Sequence, residues 1–194
     1  MSDITTLAAY TVFRGGRVLA EGGLEEVIVQ TKRLITGEER HGVLIFSNQT
    51  GRTFDLDLSG SEKELLHRVR AFLPTVAAEP VAKGPGRPKL GVVAREVSLL
   101  PRHWEWLETQ QGGASSTLRK LVEQASKAAA GSDQLRQARD RTYQFISVMA
   151  GDRAGYEEAL RALYKDDREA FAAQMAEWPR DVQLHALRLA DAAN

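Results

Sequence analysis

GVLIFSNQTGRTFDLDL, residues 42–58, carries two strand-like runs and the turn between them. Gly42–Phe46 is mostly β-branched and aliphatic, and 52–58 alternates Phe54, Leu56 and Leu58 with Thr53, Asp55 and Asp57. That period of two belongs to a strand with one apolar and one wet face. Asn48-Gln49-Thr50-Gly51 supplies the turn residues. Upstream, YTVFR (10–14) and RVLA (17–20) flank Gly15-Gly16, the signature of a tight hairpin. Between the hairpins, Leu24 to Ile35 reads as a helix that Gly37 ends, against the β-branched grain of Val27, Ile28 and Val29. Downstream, Ser61 with Glu64 has capping-box spacing. It opens a helix through Phe72 whose Leu65, Leu66 and Val69 form one apolar face, and Pro74 stops it. The first 75 residues therefore read as ββαββα.

Residues 74–91 hold four of the six prolines, with Gly84, Gly86 and Gly91 among them. Proline removes donors and restricts the residue before it, so neither helix nor central strand is expected there. Beyond, VVAREVSLL (92–100) is an extended run, and Pro101 opens a helix to about Gln110. After Gly112-Gly113, Ser115 or Ser116 is expected to cap a helix with Leu118, Leu121, Val122 and Ala125 on one face, closed by Gly131. Asp133 to Ala190 reads as three helical stretches, interrupted near Ala150-Gly151 and restarted at Pro179. The expected fold class is α+β: a small α+β domain (1–75), a basic Pro/Gly linker (76–91), a strand-helix-helix unit (92–131) and a helical C-terminal region (132–194).

Hydrophobic residues make up 43% of the 194, enough for packed cores. No apolar run approaches the ~18 residues of a membrane helix, and the start lacks the ordered parts of an export signal, so a cytoplasmic location without a membrane partner is expected. Cysteine is absent, and His41, His67, His103 and His185 form no metal-ligand spacing. No metal and no cofactor is expected. Asp55 and Asp57 share a strand's solvent face, and Asp181 with His185 at i, i+4 reads as a local brace lacking a nucleophile. With no nucleophile elbow and no phosphate-binding glycine loop, the expectation is a protein that is not an enzyme, a hydrolase-like activity being the alternative.

The formal net charge is zero, but its distribution is uneven. Residues 81–127 carry 8 basic and 4 acidic side chains, whereas 1–80 and 128–194 each carry 9 and 11. A local field of that sign is what draws phosphate within a Debye length of about 10 Å. Inside it, Lys83-Gly84-Pro85-Gly86-Arg87-Pro88-Lys89 resembles an AT-hook. That resemblance implies that Gly86, Arg87 and Pro88 lie along the minor groove of A·T-rich DNA, with Lys83 and Lys89 on phosphates. The stretch that follows, VAREVSLL, then PRHWEWL, then a serine-led helix with Arg119 and Lys120, resembles the ribbon-helix-helix repressors. This implies a homodimer with strand 95–99 on DNA, phosphate contacts at Ser115 and Ser116, and a dimer core of Trp104, Leu107, Leu118, Leu121 and Val122. With Val97 and Leu99 toward the core, the outward strand residues are Glu96 and Ser98; with Leu100 toward the core, Glu96 and Ser98 are buried, at greater cost. Of Trp104 and Trp106, two apart on a helix, one is expected to fill a core and the other to meet a neighbouring segment or partner.

Over nearly its full length the chain resembles an uncharacterised bacterial family, domain of unknown function 2239. The likeness is strongest in GRPKLGVVAREVSLLPRHWEWLETQQGGASSTLRKLVEQA, YQFISVMAGDRAGYEEALRALYKDDREAF and WPRDVQLHALRLA. It implies bacterial origin and no particular activity. The functional expectation is a DNA-associated protein, a transcriptional or nucleoid-related regulator, binding noncovalently through Lys83, Arg87, Lys89, Arg95, Arg102, Arg119 and Lys120. The alternative is a protein-interaction or scaffold module with a structural linker.

Overall fold

The computed structural model describes residues 9–35, 42–72, 93 and 95–191. The chain divides into two compact units, Met1–Thr75 together with Gly131–Asn194, and Val76–Ala130. The elements are strands β1 (Tyr10–Arg14), β2 (Arg17–Gly22), β3 (Val43–Ser47) and β4 (Thr53–Phe54), and helices α1 (Leu24–Leu34), α2 (Glu62–Phe72), α3 (Pro101–Glu108), α4 (Gly113–Ala150), α5 (Tyr156–Lys165), α6 (Arg168–Gln174) and α7 (Arg180–Ala190). The architecture is α+β: a small antiparallel sheet with helices, then a mostly helical region.

In the first unit the sheet order is β2-β1-β3-β4, with Val12 opposite Ile45 and Phe13 opposite Leu44. Thr11, Val12 and Phe13 are consecutive and all fully buried, so the central strand β1 is covered on both faces. On one face Val12, Ala20 and Ile45 pack with Leu24, Val27 and Ile28 of α1 and Leu65 and Val69 of α2. On the other, Phe13 and Phe46 join Phe145 and Ile146 of α4, Phe171, Met175, Trp178, and Val182 and Leu189 of α7. The Phe46 and Phe145 rings meet edge-to-face at 4.9 Å, and Phe13 lies 5.3 Å from Phe145. Such pairs add about 0.5–1.5 kcal/mol beyond area burial.

The local signals act as their chemistry requires. In the Ser61–Glu64 box, Ser61 N donates to Glu64 Oε2 at 2.7 Å and Glu64 N to Ser61 Oγ at 3.3 Å. The bonds that the Glu64 carboxylate accepts, from Ser61 N and from Ser61 Oγ at 2.9 Å, hold it below its ordinary pKa. Asp167 caps α6 by accepting from Ala170 N at 2.9 Å. Gly51, at φ +69°, presses its Cα against α4, where a Cβ would stand 1.8 Å from the Arg141 carbonyl oxygen.

Three details differ from the sequence expectation. The second hairpin's return strand is two residues long; beyond Phe54 the alternation persists as half-buried Leu56 and Leu58 and exposed Asp55 and Asp57, without a ladder. Gly131 does not close a helix, because α4 runs 38 residues through it. Ala128-Ala129-Ala130 and Gln134-Leu135-Arg136 around it are strong helix formers. The Lys127–Glu123 and Arg136–Asp133 pairs add i, i+4 and i, i+3 support. Finally, α4 begins at Gly113, so Ser115 and Ser116 lie within its first turn and are not its caps.

Candidate functional site

The second unit is described from Val93, with Ala94 outside the described residues, to Ala130. Arg95 to Leu100 run extended, and the Leu100 carbonyl accepts from His103 N at 2.8 Å as Pro101 starts α3. Proline suits that first position because its missing donor would have no intrahelical partner there. Gly112 and Gly113, at φ +92° and +73°, then turn the chain into α4.

Within this stretch Leu107 is buried, at 2% exposure, and every other described side chain is half-buried or exposed. Leu99, His103, Trp106, Leu107, Leu118 and Leu121 line an apolar groove of about 260 Å³. Val93, Val97, Leu100, Trp104, Trp106, Leu121 and Val122 are exposed, Trp106 at 49% and Val122 at 65%. Neither tryptophan fills a core within the described chain, which corrects the expectation for the pair. Two positions apart on a short helix, both rings stay on the open side. Of the groove, the sequence reading had Leu99, Leu107, Leu118 and Leu121; His103 and Trp106 complete it. The available signal was the i, i+3 and i, i+4 spacing of His103, Trp106 and Leu107 on α3.

Of the residues expected to face DNA, Lys83, Gly86, Arg87, Pro88 and Lys89 lie outside the described residues. Arg95 is in the extended segment, Arg102 in the first turn of α3, and Ser115, Ser116, Arg119 and Lys120 in the first two turns of α4. Arg95, Arg102, Arg119 and Lys120 are exposed. Arg119 Nε donates to the Ser115 carbonyl at 3.2 Å, and among the described residues none of the four cations forms an ion pair. Although the serines do not cap, their N–H groups fall in the first helical turn, where donors lack intrahelical acceptors. The expected strand 95–99 forms no ladder with any described residue, and its Glu96, Val97 and Ser98 are alike exposed.

The first unit holds a buried polar cluster. His185 is fully buried against the Phe13 and Phe145 rings, with Arg188 Nη2 at 3.3 Å and Glu21 at 4.0 Å from Nδ1. Burial, and then the Arg188 charge, push its pKa down to about 3. Glu21 is engaged by both terminal nitrogens of Arg188. The expected Asp181–His185 brace is replaced: Asp181 accepts from the β2 amide Val18 N at 2.9 Å. Arg141, also buried, donates to the Leu189 and Asp191 carbonyls at the end of α7. These contacts tie α7 to β2 and α4. Among the described residues no group of three or more His, Asp or Glu is placed to hold a metal ion, and no helix is long and apolar enough to cross a membrane.

Fold and site together define an α+β protein with a sheet buried on both faces and a separate unit that presents an apolar groove and basic side chains that form no ion pair with a described residue. The chain belongs to the family of uncharacterised proteins conserved in bacteria known as domain of unknown function 2239, whose model matches residues 9–190. No curated protein and no solved structure matches it.

Proposed function

We propose that this protein associates noncovalently with double-stranded DNA, as a transcriptional or nucleoid-related regulator, and does so as a homodimer through the unit around α3. One observation carries the reading: between Val93 and Ala130 the described chain buries Leu107 alone and leaves an apolar face beside four cations that pair with no described carboxylate. So thin a core is far from self-sufficient. The 95–99 backbone hydrogen-bonds to no described residue, so the segment is free to pair with its copy. Arg95, Arg102, Arg119, Lys120 and Lys127 stand against Glu96, Glu105, Glu108 and Glu123, a balance that does not repel a like surface. Arg87 and its flanking lysines, which precede Val93 in the sequence, add the field that phosphate responds to.

The test combines sedimentation with fluorescence anisotropy on paired A·T-rich and G·C-rich 30-base-pair duplexes over a salt series. The expected result is a dimer whose log affinity falls linearly with log salt, with Arg87→Ala removing the A·T preference. Trp106→Glu and Val122→Glu, both at exposed positions, are expected to give folded monomers. No binding at low salt, where attraction is strongest, rejects the DNA reading. A second reading, a protein-interaction module, is favoured by the groove itself; a dimer that ignores DNA but retains other proteins through Trp106 would select it.

A further inference from the structure

A pocket of about 240 Å³ in the first unit is independent of the DNA reading. Its floor is apolar, built from Leu135 of α4, Leu163 of α5 and Phe171 of α6, and charged side chains form its rim. Most of those charges are already engaged. Asp167 is the cap of α6, and Arg168 faces Asp191 at 3.7 Å. Two are not. Arg139 has a buried Nε–H without an acceptor, and neither it nor Asp166 forms a hydrogen bond or ion pair through its side chain with a described residue. A buried donor left unsatisfied is uncommon and calls for an acceptor. Asp166 closes α5 at φ +62°, where it is the one described non-glycine residue with positive φ.

We infer that this pocket binds a free α-amino acid with an apolar side chain. One uncommitted guanidinium and one uncommitted carboxylate on the rim match the carboxylate and ammonium of a zwitterion. The apolar floor takes the side chain, in the manner of sites that are mostly apolar with a few polar groups fixing orientation. A simple carboxylic acid leaves Asp166 unmatched, and an amine leaves Arg139 unmatched. The site would give the first unit an effector of its own.

The test is isothermal titration and ligand-observed NMR on the full chain with leucine and phenylalanine, and with N-acetyl-leucine and leucinamide, each of which lacks one of the two charges. The expected result is saturable binding of the free amino acids below about 1 mM and at least about tenfold weaker binding of both blocked forms, the scale of one lost charge-assisted hydrogen bond. Arg139→Gln and Asp166→Asn are expected to weaken leucine by a similar factor. Asn accepts the left-handed backbone at least as readily as Asp, so the second variant keeps the fold. No saturable binding of either amino acid at 10-fold above that concentration, or equal binding of free and blocked forms, overturns the inference.

Discussion

His185 is a neutral imidazole in the folded chain because burial among Phe13 and Phe145, and then the Arg188 cation, disfavour its charged form. Its folded pKa of about 3 lies below its ordinary 6.5. The unfolded chain therefore takes up the proton first as pH falls. The stability held by the neutral ring is complete above about pH 6.5 and is lost progressively as pH drops toward 3. By pH 5 the loss is about 2 kcal/mol, at 1.36 kcal/mol per pH unit. Glu21, 4.0 Å away, does not rescue the charged form, since Arg188 already holds both its oxygens. Urea unfolding of the natural chain and of His185→Gln between pH 7.5 and 5 checks this. The gap between the two stabilities should shrink by that amount toward pH 5, whereas parallel curves would show that the histidine does not titrate in this way. None of this environment is visible in the sequence, where Glu21 and Arg188 stand 167 residues apart and Asp181 is the nearer acid.

At the scale of elements, what could be read was what is locally encoded. Gly15-Gly16 between two β-rich runs gives the first hairpin, Ser61 with Glu64 gives the start of α2, and Pro101 and Pro179 mark the starts of α3 and α7. Each signal works within a few residues. The length of α4 could not be read this way, because a glycine inside a helix costs only about 1 kcal/mol against alanine and favourable neighbours outweigh it. A Cβ added at Gly131 meets no atom within 4 Å. Gly131→Ala is accordingly expected to raise helicity at 222 nm and to stabilise the chain by about 0.5–1 kcal/mol. A helix that ended at Gly131 would gain nothing. The groove was legible in part for the same reason: Leu107, Leu118 and Leu121 follow helical spacing, while the open sides of Trp104 and Trp106 depend on what packs against α3.

At the scale of the whole molecule, the sheet of the first 75 residues has two apolar faces and, among the described residues, two helices of its own. Leu24, Val27, Ile28, Leu65 and Val69 cover one face; Phe13 and Phe46, on the other, are covered by Phe145, Phe171, Val182 and Leu189. Composition and periodicity show that both halves carry apolar surface, but not which surfaces meet, because that pairing spans about 100 residues or more. The consequence is a folding unit discontinuous in sequence. A fragment of residues 1–75 would expose two phenylalanines with partly buried Val18 and Leu44 to water, each large side chain forgoing about 1.5–3 kcal/mol of burial. Against a net stability of about 5–15 kcal/mol for an ordinary domain, that loss is decisive. The fragment alone is therefore expected to show a collapsed proton–nitrogen NMR spectrum without a cooperative urea transition. Adding residues 131–194 in trans should restore dispersed signals, because that piece carries the α4 to α7 surface that Phe13 and Phe46 pack upon. A well-dispersed spectrum from residues 1–75 by themselves would mean that the sheet and its two helices are sufficient, and that the C-terminal helices merely lean on a finished domain.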